Sequence, residues 1–205
     1  MSREEQTVEQ VLAFHCAPSL AGIKPADLIA WPVGGPGAPL LADYDRLLSA
    51  RGIRIALLHW RADGCALVLV YRPARLAGWL ARPDVSAMLA REGYPVDGGL
   101  EAMLSALRHR LEGTDFPHEI GLFLGYPPVD VEGFRRNGGR NCKLCGPWKV
   151  YGPVEEARQR FRTFHRCRAA LSMRSSAAMS MSRAITPATT PTAICVPSSS
   201  AAARP

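Results

Sequence analysis

The chain has 205 residues, 47% of them hydrophobic, and a formal net charge of +7, which suits one globular domain with a core of ordinary size. The charge is unevenly spread: residues 1–156 hold 17 Lys and Arg against 18 Asp and Glu, whereas residues 157–205 hold eight Arg and no acid. A neutral body with a basic end argues against nucleic acid as a partner, and the absence of an apolar run of ~18 residues, behind a charged start MSREEQTVEQ, argues against a membrane span or secretion signal.

The expected location is therefore the cytoplasm, and the six cysteines (16, 65, 142, 145, 167 and 195) are expected to be reduced thiols and not a disulfide framework. Residues 3–16 predict a helix with Val8, Val11, Leu12 and His15 on one face and acids in its first turn, stopped near Pro18. A loop leads to a short helix predicted over Pro25 to Ala30, with Pro25 in its first turn. After the Gly/Pro connection WPVGGPGAP, LLADYDRLLSARG predicts a helix closed by Gly52.

The clearest β signal follows. IRIALLHW and CALVLVYR are branched apolar runs joined by RADG, which predicts a hairpin over residues 53–72 with Asp63 and Gly64 in the turn. ARLAGWLARPDVSAMLAREG predicts helix broken near Pro83, and GGLEAMLSALRHRLEG an amphipathic helix burying Leu100, Met103, Leu104, Leu107 and Leu111. EIGLFLGY reads as a strand, PPVDVEGFRRNGG as a short helix ending in glycines, and WKVYG as a fourth strand. The last helix begins at Pro153 and turns Phe161, Phe164 and Cys167 or Ala170 inward, leaving the arginines of RQRFRTFHRCR wet.

These elements describe an α+β fold: a small, mainly antiparallel sheet of about four strands packed with several helices, forming one domain over residues 1–171. From residue 172 the composition turns to Ser, Ala, Thr and Pro, which predicts a disordered low-complexity tail. The abrupt loss of charge patterning also fits out-of-frame translation, which resequencing the 3′ end of the gene tests.

Several residues carry possible chemistry. Cys142 and Cys145 have CxxC spacing, but Cys145 leads through GPWKVY into an extended segment, without the helix N-terminus that activates a redox thiol. One CxxC supplies two of the four ligands that zinc or iron would need, and His15, Cys16, His118 and Cys145 would complete a set if the fold gathered them. A thiol enzyme would need Cys16 or Cys145 beside His118 as base, with Glu119 orienting it. Each has a plainer alternative: buried thiols as core residues, and histidine as a satisfied neighbour of an apolar face. Arg72 could grip a phosphate or carboxylate through its planar fork, cap a helix C-terminus, or pair with Glu119. No GxGxxG or GxxxxGK[ST] occurs, which sets aside those routes to nucleotide binding.

Taken together, HCAPSLAGIKPADL (15–28), VLVYRP (68–73), FPHEIGLFLGYPPVDVEGF (116–134) and CGPWKVYG (145–152) resemble a bacterial family of unknown function, number 3793 among such domains, over residues 8–170. The resemblance singles out His15, Cys16, Pro18, Gly22, Lys24 and Pro25; Tyr71 and Arg72; His118, Glu119, Gly125 and Tyr126; and Asn141, Cys145, Gly146, Trp148, Lys149 and Tyr151. Cys142 departs from that pattern, so the CxxC reads as a turn presenting Cys145. The expected function is binding of a small ligand, or regulation, at a site with His15, Lys24, Tyr71, Arg72, Tyr126 and Lys149 as contacts. The partner is then a small molecule or another protein, the cofactor is open, and the thiol enzyme and the zinc or iron protein are the alternatives.

Overall fold

A computed structural model describes residues 3–32, 37–62 and 64–176. The strands β1 (Ala26–Pro32), β2 (Arg54–Trp60) and β3 (Cys65–Tyr71) form an antiparallel sheet in the order β1-β3-β2. The predicted hairpin is the β2–β3 pair, in register from Arg54 opposite Tyr71 to Trp60 opposite Ala66, with a bulge between Leu57 and His59. Gly64 takes a positive φ of 77° at its turn; Asp63 lies outside the described residues.

The central strand decides the architecture. Leu67, Leu69 and Tyr71 point to one face of the sheet and Ala66, Val68 and Val70 to the other, and each set belongs to a separate core, because successive side chains alternate across a strand. The first face is covered by α4 (Pro73–Leu80), α5 (Pro83–Arg91), α6 (Gly99–Leu111), α7 (Ile120–Phe123) and α8 (Pro128–Asn137). The second is covered by α1 (Arg3–His15), α2 (Ala17–Leu20), α3 (Gly37–Ser49) and α9 (Val154–Ser176). The fold class is α+β.

Two expectations are overturned. Residues 25–30 are not helical: Ala26–Pro32 is an edge strand paired along its whole length with β3. Consecutive apolar residues there have no 3.6-residue periodicity because both faces are covered: Leu28 packs with the first core and Ile29 with the second. Residues 119–126 are not a strand: EIGLF closes a helical turn, with Leu122 N–H donating to Glu119 and Leu124 N–H to Ile120. A short apolar run does not distinguish the two states by itself, and Gly125, at φ 77°, reverses the chain directly afterwards.

WKVYG is extended only at β5 (Lys149–Val150), which pairs with β4 (Leu144–Cys145) in a separate ribbon. That ribbon lies on the first half of α9, where Trp148, Val150, Ala157 and Phe164 make a third core. On α1, Val8 and Leu12 are buried as expected, but His15 is exposed and Cys16 takes the inward place. Leu171 instead of Ala170 continues the buried side of α9. The helix continues past residue 172 to Ser176; the expected disordered tail beyond it lies outside the described residues.

Candidate functional site

The β4–β5 ribbon is fastened to α8 by one carboxylate. Asp130, in the first turn of α8, is 3% exposed. Its Oδ1 accepts the Tyr151 and Gly152 N–H groups at 2.8 Å, and its Oδ2 accepts the Trp148 indole N–H at 2.7 Å. Trp148 is further fixed by Tyr126, stacked at 4.9 Å between centroids, and by Phe161, edge-on at 4.5 Å. Glycines make these approaches possible. A Cβ on Gly146 would lie 2.3 Å from the Phe161 ring, and one on Gly133 would lie 2.4 Å from Tyr151.

Between this ribbon, the α7–α8 turn and Leu28 of β1 lies a cavity of about 350 Å³, within the size range of small-ligand sites. Phe116, Tyr126, Phe134 and Trp148 are its aromatic walls, and Gly121 leaves room beside Tyr126. The polar groups are few: His118, Asp130, Cys145 and Lys149. The His118 ring meets Phe134 edge-on at 4.9 Å, and no hydrogen bond occupies its nitrogens among the described residues. Lys149 Nζ donates to Gly139 O at 2.6 Å and stands 5.9 Å from the Phe134 centroid, so two of its three N–H donors are uncommitted. Cys145 is exposed and Cys142 half-buried, both as free thiols.

Phe116 and His118 also border a neighbouring pocket that contains Glu92, Arg110, Glu119 and Arg135. Arg110 Nε donates to Glu119 at 2.7 Å, and Arg135 grips both oxygens of Glu92, at 2.5 and 3.1 Å. Tyr94 adds its hydroxyl to Glu119 at 3.2 Å, and burial first, then Glu119, pushes that phenol far above its ordinary range. Glu119 is thus committed to Arg110 and Tyr94, not to orienting His118.

The other expected site residues lie elsewhere. Cys16 is fully buried in the core on the opposite face of the sheet from the cavity. Burial, reinforced by Asp27, holds its thiol well above the ordinary value, which opposes nucleophilic use. His15 faces outward against Phe14, with ring centroids 5.0 Å apart. The proposed metal set of His15, Cys16, His118 and Cys145 is therefore not gathered, and neither is the Cys16, His118, Glu119 constellation. Among the described residues no group of three or more His, Cys, Asp and Glu is placed to hold a metal ion.

Arg72 and Lys24 are occupied with the fold. The Arg72 guanidinium donates to Ser19 O at 3.0 Å, Leu20 O at 2.5 Å and Arg51 O at 3.1 Å, tying the C-terminal carbonyls of α2 and the chain after α3 to the end of β3. Of its three readings, the structure carries the carbonyl cap; Glu119 pairs with Arg110 instead. Tyr71 is buried beside it in the first core. Lys24 is buried, pairs with Asp27 at 2.7 Å and stands 5.2 Å from the Tyr126 centroid, so it supports a cavity wall from behind.

Of the expected ligand contacts, Tyr126 and Lys149 line the cavity, where they meet His118 and Cys145 from the catalytic and metal expectations. Three wall and anchor residues, Asp130, Phe134 and Phe116, were missed as site residues although all lie in the FPHEIGLFLGYPPVDVEGF stretch. The signal available was an acid and two aromatics grouped around a glycine-rich turn. The model of a family described as "Protein of unknown function (DUF3793)" matches residues 12–185. The chain belongs to this family. No curated protein and no solved structure matches it. Three of the four motif stretches of this DUF3793 member supply walls of the cavity or its backing: the Lys24 segment, the His118–Phe134 segment and the ribbon. Among the described residues no helix is long and apolar enough to cross a membrane.

Proposed function

We propose that the protein binds a small, mainly apolar ligand in the aromatic cavity between α7, α8 and the β4–β5 ribbon. The observation that carries this reading is the convergence of Phe116, Tyr126, Phe134 and Trp148 on about 350 Å³ of space, with polar groups limited to a few positions, as in small-molecule sites generally. A regulatory role follows if the ligand stiffens the ribbon on α9. The test uses the neutral fluorophore N-phenyl-1-naphthylamine. It is expected to bind with enhanced emission to the wild type, and to lose at least tenfold in affinity in Cys145→Trp, which places a bulky ring at the cavity from an exposed position. Equal binding to both proteins would refute the site.

A thiol reaction is the second reading, favoured by the presence of Cys145 and His118 in one cavity. It requires Cys145 to alkylate with iodoacetamide at neutral pH much faster than Cys65 or Cys142, and to slow in His118→Gln. Uniform rates would retire it.

A further inference from the structure

Resting on that cavity, we infer that its ligand is a flat aromatic monoanion whose oxyanion is held by Lys149. The inference comes from an inventory of what the walls leave unsatisfied. Among the described residues Asp130 brings the only carboxylate of the lining, but its two oxygens already accept three N–H donors, so it has little capacity left to hold a cationic ligand. The one ammonium among the described lining residues is Lys149, with one proton given to Gly139 O and two free. His118 adds ring nitrogens with no partner among the described residues.

The surroundings point the same way. Lys24 behind Tyr126 adds no free charge, because Asp27 neutralises it. In the adjoining pocket, Arg135 holds Glu92, and Arg110 holds Glu119, so neither acid presents an unpaired field at the cavity. Asp115 there is exposed and screened by water. Three ring faces are already spoken for: Tyr126 and Trp148 stack on each other, and Lys149 stands over Phe134. A cationic guest would compete with that lysine; an aromatic anion would use it, placing its ring against apolar walls and its oxygens on the ammonium.

The experiment compares 8-anilinonaphthalene-1-sulfonate with N-phenyl-1-naphthylamine, which shares the arylamine skeleton and lacks the sulfonate, on the full chain and on Lys149→Gln, Lys149→Arg and Cys145→Trp. The expected result has three parts. Lys149→Gln weakens the anionic probe about tenfold or more and leaves the neutral probe within about twofold. Lys149→Arg retains the anionic probe. Added salt weakens the anionic probe in the wild type and in Lys149→Arg, and has little effect in Lys149→Gln. A variant that merely loosened the ribbon would weaken both probes together. Parallel losses, or no loss, in Lys149→Gln overturn the anion assignment while leaving the cavity in place. Undiminished binding of both probes to Cys145→Trp removes the cavity itself, and the inference with it.

Discussion

Replacing Asp130 by alanine should release the β4–β5 ribbon and with it a wall of the cavity. The carboxylate is 3% exposed and accepts hydrogen bonds from the Trp148 indole and from the Tyr151 and Gly152 amides. Alanine leaves three donors without an acceptor, two of them in buried hydrogen bonds and the Tyr151 amide in a partly buried one. Each stranded buried donor costs about 1–3 kcal/mol. Some relaxation toward water at Tyr151 lowers the total, so the expected loss is about 3–6 kcal/mol, a large part of a typical domain's stability. Asparagine separates geometry from charge. Its carbonyl oxygen can keep the Tyr151 and Gly152 amides, but its NH₂ then faces the indole N–H, donor against donor, for a loss of about 2–3 kcal/mol. Urea unfolding followed by far-UV circular dichroism should rank wild type above Asp130→Asn above Asp130→Ala, and the Tyr151 and Gly152 amides should exchange faster in both variants. A loss below about 1 kcal/mol in Asp130→Ala would refute the assignment of Asp130 as the anchor.

Three further outcomes follow from the packing. Gly133→Ala gains about 1 kcal/mol of helix propensity in α8, but its Cβ would lie 2.4 Å from Tyr151 Cγ. The expected overpacking cost of about 1–3 kcal/mol exceeds the gain, so a raised melting temperature would contradict the close approach. Arg72→Lys keeps the charge but lacks the planar fork that reaches three carbonyls; thermal unfolding should show a loss of about 2–4 kcal/mol, and unchanged stability would count against the clasp. Burial raises the Cys16 and Tyr94 values above their ordinary 9.0 and 10.0. The native state thus keeps protons that the unfolded chain releases. Stability from these groups is complete below about pH 9 and falls as pH rises, by up to about 1.4 kcal/mol per unit for each group. A urea midpoint that stayed level from pH 8 to 10.5 would refute this.

Local patterning determined much of this protein. The hairpin of residues 53–72 was legible because its two branched runs flank a turn that needs a left-handed glycine, and α6 because Met103, Leu104, Leu107 and Leu111 recur at helical spacing. The neutral body and basic last helix were likewise plain from the order of residues. Tertiary structure decided the cases in which neighbours outweigh the chain's own preference. Ala26–Pro32 is a strand because β3 offers it a full ladder and both its faces are covered. Residues 120–123 turn because Gly121 and Gly125 allow Tyr126 and Pro25 to close on them. Above all, which motif residues meet depends on the face of the sheet they occupy. Cys16 and His118 read as partners, yet Cys16 is buried in the core on one face of the sheet and His118 is exposed at the cavity on the other, whereas Tyr126, Cys145 and Lys149 converge on that cavity because a single buried carboxylate, Asp130, pins the ribbon to α8.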